Sequence, residues 1–391
     1  MTEPVDVNDS VQPTPVQTQN DLSQNVGTDT IPGQTTRSPT SGTARKYLTL
    51  EPLKKLDLPH HPSYDNANSD HRVSLAKFLE SVFKEVQGID FDEGFEKRGT
   101  WSPETGHVMM PPLNATGSSD MVPVPISVEK RIKDVNQASW MVRTSTHSDS
   151  HVKFSELGDL LARDHSRNEA AYTPSVFDAV ELLRWDPEEA LRAVHHQEEI
   201  HSVEMFISQM FHMMPKVAGL SLLQDRVFHA LIITMNTYKT GSLSELALSL
   251  TVQLPIDYAS FEDVKVMQER SRMKTKGSSQ IYQFPSSAGS GSTPDANQKQ
   301  RQGKKLTEGT YVSLERLISA SAVPIDGDVA QQAESSDSNR HRWDMMTLST
   351  AGGMTKKAPK GIQQKETLEA IAMDVEYVLS YIADQRRKGR T

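Results

Sequence analysis

The sequence predicts an α+β fold in which an antiparallel sheet grips one long C-terminal helix. Apolar, β-prone runs follow one another at residues 138–147, 203–207, 227–235, 247–256, 309–320 and 342–349, and each is short enough to be a strand. After the last of them Leu368, Ile371, Ala372, Val375, Leu379 and Ile382 recur at helical spacing, which places one apolar stripe on a helix over about 366–385. Composition supplies the third observation. Only 36% of the 391 residues are hydrophobic, and adding the 21 glycines still leaves the chain poorer than an end-to-end packed protein. One domain with unpacked tails and insertions is expected, rather than the two or three domains that length suggests.

Residues 1–44 are built from Thr, Gln, Pro, Ser, Asn and Asp, with no aromatic side chain and no basic one before Arg37. Such a segment cannot offset its ordering entropy and reads as a disordered tail. The domain is expected over 45–387. Leu48, Leu50, Leu53, Leu56 and Leu58 introduce apolar anchors, and a turn at His60, His61 and Pro62 precedes a helix whose apolar face is Leu75, Phe78, Leu79, Val82, Phe83 and Val86, with Asp70 as candidate cap. Residues 88–130 show no sustained period and read as a long irregular connection. The strand at 138–147 puts Met141, Arg143, Ser145 and His147 on one face. Phe154, Leu157, Leu160 and Leu161 suggest a short helix, and Val176, Ala179, Val180, Leu182 and Leu183 a second amphipathic segment ending near Trp185.

The runs at 203–207, 227–235 and 247–256 read as consecutive antiparallel strands, the last two joined by a hairpin-like turn at Lys239, Gly241 and Ser242. Residues 267–305 are rich in Ser, Gly, Gln and Lys, the composition of a flexible insertion. The strand at 309–320 groups Tyr311, Ser313, Glu315 and Leu317. A second polar insertion covers 327–339, a final strand 342–349, and then comes the C-terminal helix. Arg386, Arg387, Lys388 and Arg390 suit the negative end of its dipole, with a basic tail over 388–391.

Several chemistries are excluded. The chain has no cysteine, which removes disulfides, thiolate catalysis and cysteine-based metal sites and favours a reducing compartment. Its N-terminus carries neither a signal peptide nor a transit sequence, so a cytoplasmic location is the default expectation. No apolar stretch approaches a membrane span, and a net charge of -9 argues against nucleic acid as partner. No P-loop, GxGxxG or GxSxG motif appears, so no enzyme and no cofactor is expected. His195, His196 and His201 lie beside Glu198, Glu199 and Glu204, but their spacing is not HExxH and they read as solvated side chains without a metal. Asp164 and His165 are adjacent, which suits a turn or helix end better than a catalytic pair.

Five stretches, in order and at spacing that coincidence does not explain, carry a resemblance. They are 140–147 (Trp140, Met141, Val142, Arg143, Thr144, Ser145, Thr146, His147); Asp164 to Glu169 with Tyr172, Thr173 and Pro174; Met210, Phe211 and His212 before Pro215; 309–316, from Gly309 to Arg316; and 342–347, from Arg342 to Thr347, with Ala351, Gly352 and Gly353. Over about 47–386 the chain resembles the fungal START-like lipid-binding domain family of otherwise unknown function, within the helix-grip superfamily. It departs from that family at Gln209, where a glutamate is usual, and at Lys356, Lys357 and Lys360, which replace aromatic residues. The resemblance implies a START-like helix-grip fold, a curved antiparallel sheet packed around the C-terminal helix, with a hydrophobic cavity between them.

If the faces holding Arg143 and Glu315 point into the grip, both are buried charges that need partners, either each other or a ligand head group. Arg143, His147, Tyr311 and Glu315 are therefore the candidate ligand-binding residues. The function expected is non-enzymatic binding of a lipid, sterol or other hydrophobic small molecule, used in transfer or sensing, with transient membrane contact through the basic C-terminus. The alternative is a regulatory or scaffold protein whose START-like domain carries no ligand and whose disordered segments recruit partners.

Overall fold

A computed structural model describes residues 46–65, 72–113, 120–135, 138–194, 200–213, 224–238, 246–284, 295–319, 340–350 and 360–389. The strands among them are β1 (Glu96–Trp101), β2 (His107–Met110), β3 (Val122–Pro125), β4 (Val128–Val135), β5 (Ala138–Ser148), β6 (Val176–Arg184), β7 (Ile200–His212), β8 (Asp225–Tyr238), β9 (Leu246–Pro255), β10 (Met273–Lys276), β11 (Ser279–Tyr282), β12 (Leu306–Ser319) and β13 (Arg340–Thr350). The helices are α1 (Leu75–Gln87), α2 (Phe154–Ala162), α3 (His165–Tyr172), α4 (Pro187–Ala193), α5 (Lys265–Arg270), α6 (Ala296–Arg301) and α7 (Lys360–Arg387).

Nine strands form one sheet in the order β1-β4-β5-β13-β12-β9-β8-β7-β6. The late hairpin β12–β13 sits in its centre and joins the early strands to the β7–β8–β9 meander. Every pairing is antiparallel except a short parallel contact of Leu306–Gly309 with Asp225–Phe228. β9 ends at Pro255 opposite Ala230, the Ile256 N–H makes one more bond to the His229 carbonyl, and beyond it the edge of β8 is taken by the start of β12.

Period two gives the sheet two faces, and both are covered. On the reverse face Leu231, Ile233, Val252, Leu254, Val312, Leu314, Met346 and Leu348 pack against Phe78, Leu79, Val82, Phe83 and Val86 of α1 and against Leu53 and Leu58. Helix α1 is amphipathic as its spacing predicts. Its N-cap is Ser74, whose side chain accepts from the Lys77 N–H; the candidate Asp70 lies outside the described residues. On the other face lies α7, with Leu368, Ile371, Ala372, Val375, Leu379 and Ile382 all buried as the stripe predicts. They meet Val128, Leu317 and Trp343 in one cluster and Ile132 and Met141 in another. Each such side chain contributes about 1.5–3 kcal/mol of burial. This is the α+β helix-grip arrangement expected.

Three expectations are corrected. The connection expected over 88–130 contains β1 to β4. Its period is hidden because β1 is an exposed edge strand, and β2 and β3 pair only with each other, so neither needs a continuous apolar face. The amphipathic segment at 176–183 is strand β6, whose register shifts between Val176 and Asp178 and again between Glu181 and Leu183. Bulges break period two and imitate a longer period. Within 267–305, read as a flexible insertion, the described residues form α5, the β10–β11 hairpin and α6. They are anchored by Tyr282, which packs on Phe177 and Phe211 and donates to Asp178 at 2.7 Å, and by Arg301, which pairs with Asp225 at 2.7 Å. Residues Pro187–Ala193 form α4, capped by Asp186 with Pro187 in its first turn, and most of its side chains are exposed or half-buried. The expectations for 1–44, 327–339 and His195, His196, Glu198 and Glu199 fall outside the described residues. His201 is exposed, its ring 5.3 Å from that of Tyr238.

Candidate ligand-binding cavity

A cavity of about 720 Å³ opens on the α7 side of the sheet. Its floor is Phe228 of β8, Gln253 of β9, Tyr311 of β12 and Met345, Thr347 and Ser349 of β13. Its roof is α7, through Glu366, Thr367, Ala370, Ile371, Met373, Asp374 and Tyr377, and its side is Glu169 and Thr173 at α3. At one end stand His212, Arg226 and Arg301. The local backbone makes room for this wall. A Cβ on Gly309 would come within 2.2 Å of the Phe228 ring, so only glycine lets β12 approach β8 there. Phe228 in turn meets Tyr311 edge-on, ring centroids 5.1 Å apart.

A chain of hydrogen bonds fixes the floor to α3. Tyr311 Oη donates to Gln253 Oε1 at 2.5 Å, and Gln253 Nε2 lies 3.0 Å from His165 Nε2. His165 Nδ1 lies 2.9 Å from the Leu161 carbonyl, so the proton belongs on Nδ1 and Nε2 accepts from the amide. His165 thus joins the end of α2 to the sheet, the helix-end role expected of the Asp164 and His165 pair. Glu169 Oε2 lies 3.6 Å from the same Nε2, is buried, and has no hydrogen-bond partner. Burial pushes the Glu169 carboxyl up to about 7, against the pull of His165. Asp374 is pushed up to about 8, again mainly by burial, with Arg143 opposing and Glu169 and Glu315 reinforcing. His212 is pushed down to about 4 by burial and by Arg226.

Of the four candidate residues, Tyr311 lines this cavity, while Arg143, Glu315 and His147 are buried on the same sheet face without lining it. Arg143 is 1% exposed and its guanidinium lies 3.8 Å above the Trp343 ring. Burial lowers its pKa, and Glu315 and then Asp374 offset this. Trp343 Nε1 donates to Glu315 Oε2 at 3.4 Å, so Arg143, Trp343 and Glu315 form one unit across β5, β13 and β12. His147 stacks on His341 with centroids 5.7 Å apart and lies 2.9 Å from Ser145 Oγ; burial, His341 and Arg143 push it down to about 3. Glu169, Gln253 and Asp374 were not singled out from sequence. Gln253 had a signal, since it alternates with Thr251 and Ser249 inside an otherwise apolar strand. Asp374 had none, because it flanks the apolar stripe where a solvated residue is expected.

The basic C-terminus is partly tied down. Arg386 pairs with Glu156 at 2.5 Å and donates to the Pro111 and His151 carbonyls, closing one side of a second hollow of about 550 Å³ between α2 and the end of α7. Arg387 and Lys388 pair with Asp384. Among the described residues no three His, Asp or Glu side chains are placed to hold a metal ion, and no helix is long and apolar enough to cross a membrane.

Among solved structures, human STARD10 is similar at 9% identity, over 74% of this chain and 77% of that one, with a TM-score of 0.36. The human StarD13 (DLC2) lipid transfer and protein localization domain is similar at 8% identity, over 71% and 88%, with a TM-score of 0.31. No curated protein sequence matches. A family profile described as "Protein of unknown function (DUF3074)" matches residues 140–382. Because that match runs from the middle of the sheet through most of α7, more than half of the 391 residues, the chain belongs to the DUF3074 family of proteins of unknown function.

Proposed function

We propose that this protein binds a lipid, a sterol or another amphipathic small molecule in the cavity between β12, β9, β8 and α7, without catalysing a reaction. The observation that carries the reading is the cavity itself. Its volume of about 720 Å³ falls within the range of small-molecule sites, and its wall combines apolar surface, from Phe228, Met345, Ile371 and Met373, with polar and charged groups toward either end. Such a wall holds an alkyl or ring system by burial and fixes one polar end by hydrogen bonds. Tyr311 is the candidate contact that serves both, with its ring on Phe228 and its hydroxyl on Gln253. Arg143 and Glu315 act from behind the wall by setting its field, and lipid transfer or sensing is the use such binding would serve.

Native mass spectrometry of the full chain purified from its own host tests this reading. The expected result is an adduct with the mass of a lipid or sterol that is lost on denaturation. A bare mass that takes up no added lipid would overturn it and favour the scaffold alternative.

A further inference from the structure

We propose that the ligand's buried end is a protonated amine, held between Glu169 of α3 and Asp374 of α7. The inference rests on the reading of the cavity as an amphipathic-ligand site and names the head group.

Around the inner end of the cavity stand one guanidinium, Arg143, and three carboxyls, Glu315, Asp374 and Glu169, all interacting electrostatically. Arg143 and Glu315 are 1% and 8% exposed, share Trp343, and lie behind the wall. Their charges offset each other through space, although Arg143 Nε and Nη1 are buried without a hydrogen-bond partner. Three carboxyls line the cavity, Glu169, Glu366 and Asp374; Glu366 is exposed, and the other two, from α3 and α7, are left in excess at the inner end.

The donor count points the same way. Tyr311 spends its hydroxyl proton on Gln253, Gln253 directs Nε2 at His165, and Thr347 donates to the Val312 carbonyl at 3.3 Å. His165 Nε2, the group nearest Glu169 Oε2, is itself an acceptor, so Oε2 stays buried without a donor. What this end of the cavity offers a ligand is therefore mainly acceptors: two carboxyls, the Tyr311 oxygen and the second lone pair of Gln253 Oε1, with the unpaired Thr173 hydroxyl, which can donate or accept, beside them. An ammonium group brings three donors and no acceptor. An alcohol brings one donor, and a carboxylate or phosphate would meet two acids. The two guanidiniums that line the cavity, Arg226 and Arg301, stand with His212 at the other end, where the sheet pairs Arg226 with His212 and Arg301 is paired with Asp225.

Glu169 near 7 and Asp374 near 8 hold at least one proton between them at neutral pH. The charged or titratable neighbours that face them are His165 and Tyr172 on α3, Arg143 on β5, Tyr311 and Glu315 on β12, and Tyr377 on α7. Of these only Arg143 and His165 favour the ionised acids. A bound ammonium adds a further cation, lowers both pKa values, and releases a proton to solvent.

The test uses the full chain and three probes with identical tails, dodecylamine, dodecanol and dodecanoate, followed by tryptophan fluorescence and by calorimetry. Dodecylamine should bind about tenfold or more tighter than dodecanoate at neutral pH, and tighter than dodecanol. Glu169→Gln with Asp374→Asn should erase the advantage of the amine over the alcohol. As a check that needs no variant, dodecylamine binding in buffers of different ionisation heat should show proton release, and dodecanol binding none. Dodecanoate binding as tightly as the amine, an amine preference that survives both substitutions, or no proton release would overturn the inference while leaving the cavity reading intact. Failure of all three probes to bind would overturn the cavity reading, and the inference with it.

Discussion

The same face of the same sheet is treated in two ways under α7. Over β4, β5 and the far end of β13 it is filled, with Ile132, Met141 and Trp343 meeting Leu368, Ile371, Val375 and Leu379 and with Arg143 and His147 buried on the same face. Over β12, β9 and β8 it carries Tyr311, Gln253 and Phe228 and stays open. One helix serves both halves because it has two stripes. Leu368, Ala372, Val375 and Leu379 close the first half, while Glu366, Ala370, Met373, Asp374 and Tyr377, also at helical spacing, roof the second. The cavity is thus part of the fold's design rather than a packing defect, and the two halves should respond differently to substitution.

The largest effect is expected at the seam between them. Arg143→Met leaves Glu315 buried without its cation and should cost about 3–5 kcal/mol in denaturant unfolding. Adding Glu315→Gln should recover part of that loss, and strict additivity of the two changes would show that they are not a unit. In the filled half, Leu379→Ala removes a fully buried side chain and should cost about 2–4 kcal/mol. A loss well under 1 kcal/mol would mean that the packing of α7 against the sheet matters little to stability.

The open half should show itself through pH. Asp374 has its native pKa raised to about 8 from an ordinary 3.8, so the folded state holds a proton that the unfolded state releases above about pH 4. The stability this contributes is fully present below that pH and is lost as pH rises through about 8, with a slope of at most about 1.4 kcal/mol per unit. Asp374→Asn should flatten this decline between about pH 5 and about pH 8, read as denaturation midpoints in matched buffers. An unchanged profile would place the carboxyl in solvent.

The strands of both halves except β4, and the first stripe of α7, were legible in the sequence; the polar wall of the open half, Tyr311 apart, was not, for one physical reason. Burial against apolar neighbours writes a period, and period two or 3.6 is what marks β5, β8, β9, β12, β13 and the first stripe of α7. A cavity wall mixes residue types, so the second stripe of α7 looks like solvated helix surface, and Asp374 looks like any exposed acid. Helix α3 was missed for a related reason. Its N-cap Asp164 is left-handed, φ 41°, and it carries the polar run His165, Ser166, Arg167, Asn168 and Glu169, which writes no apolar period; only His165 reaches the sheet, through Gln253 of β9, while Asn168 bonds back to the Leu160 and Arg163 carbonyls. The face shared by Arg143 and His147, and that shared by Tyr311 and Glu315, followed from alternation alone. Which members of those faces reach the cavity depended on where α7 crosses the sheet, and no local pattern encodes that crossing.

The smallest expected stability change separates the halves most sharply. Ala370 sits on the roof of the cavity, one turn before Asp374, so Ala370→Leu extends a side chain into open space and should not strain the core. Leucine and alanine both favour helix, and added burial against Phe228 or Met345 offsets the lost rotamer freedom, leaving a net change within about 1 kcal/mol of zero. The same enlargement at Ala372, which is fully buried in the filled half, has no space to enter and should cost about 1–3 kcal/mol by overpacking. Binding should invert the order. Ala370→Leu should weaken retention of an alkyl probe such as dodecanol about tenfold or more at nearly unchanged thermal stability, whereas Ala372→Leu should lower stability while the remaining folded protein still binds. Equal stability losses at the two positions would mean that the open half is as tightly packed as the other, and that no ligand space exists beneath α7.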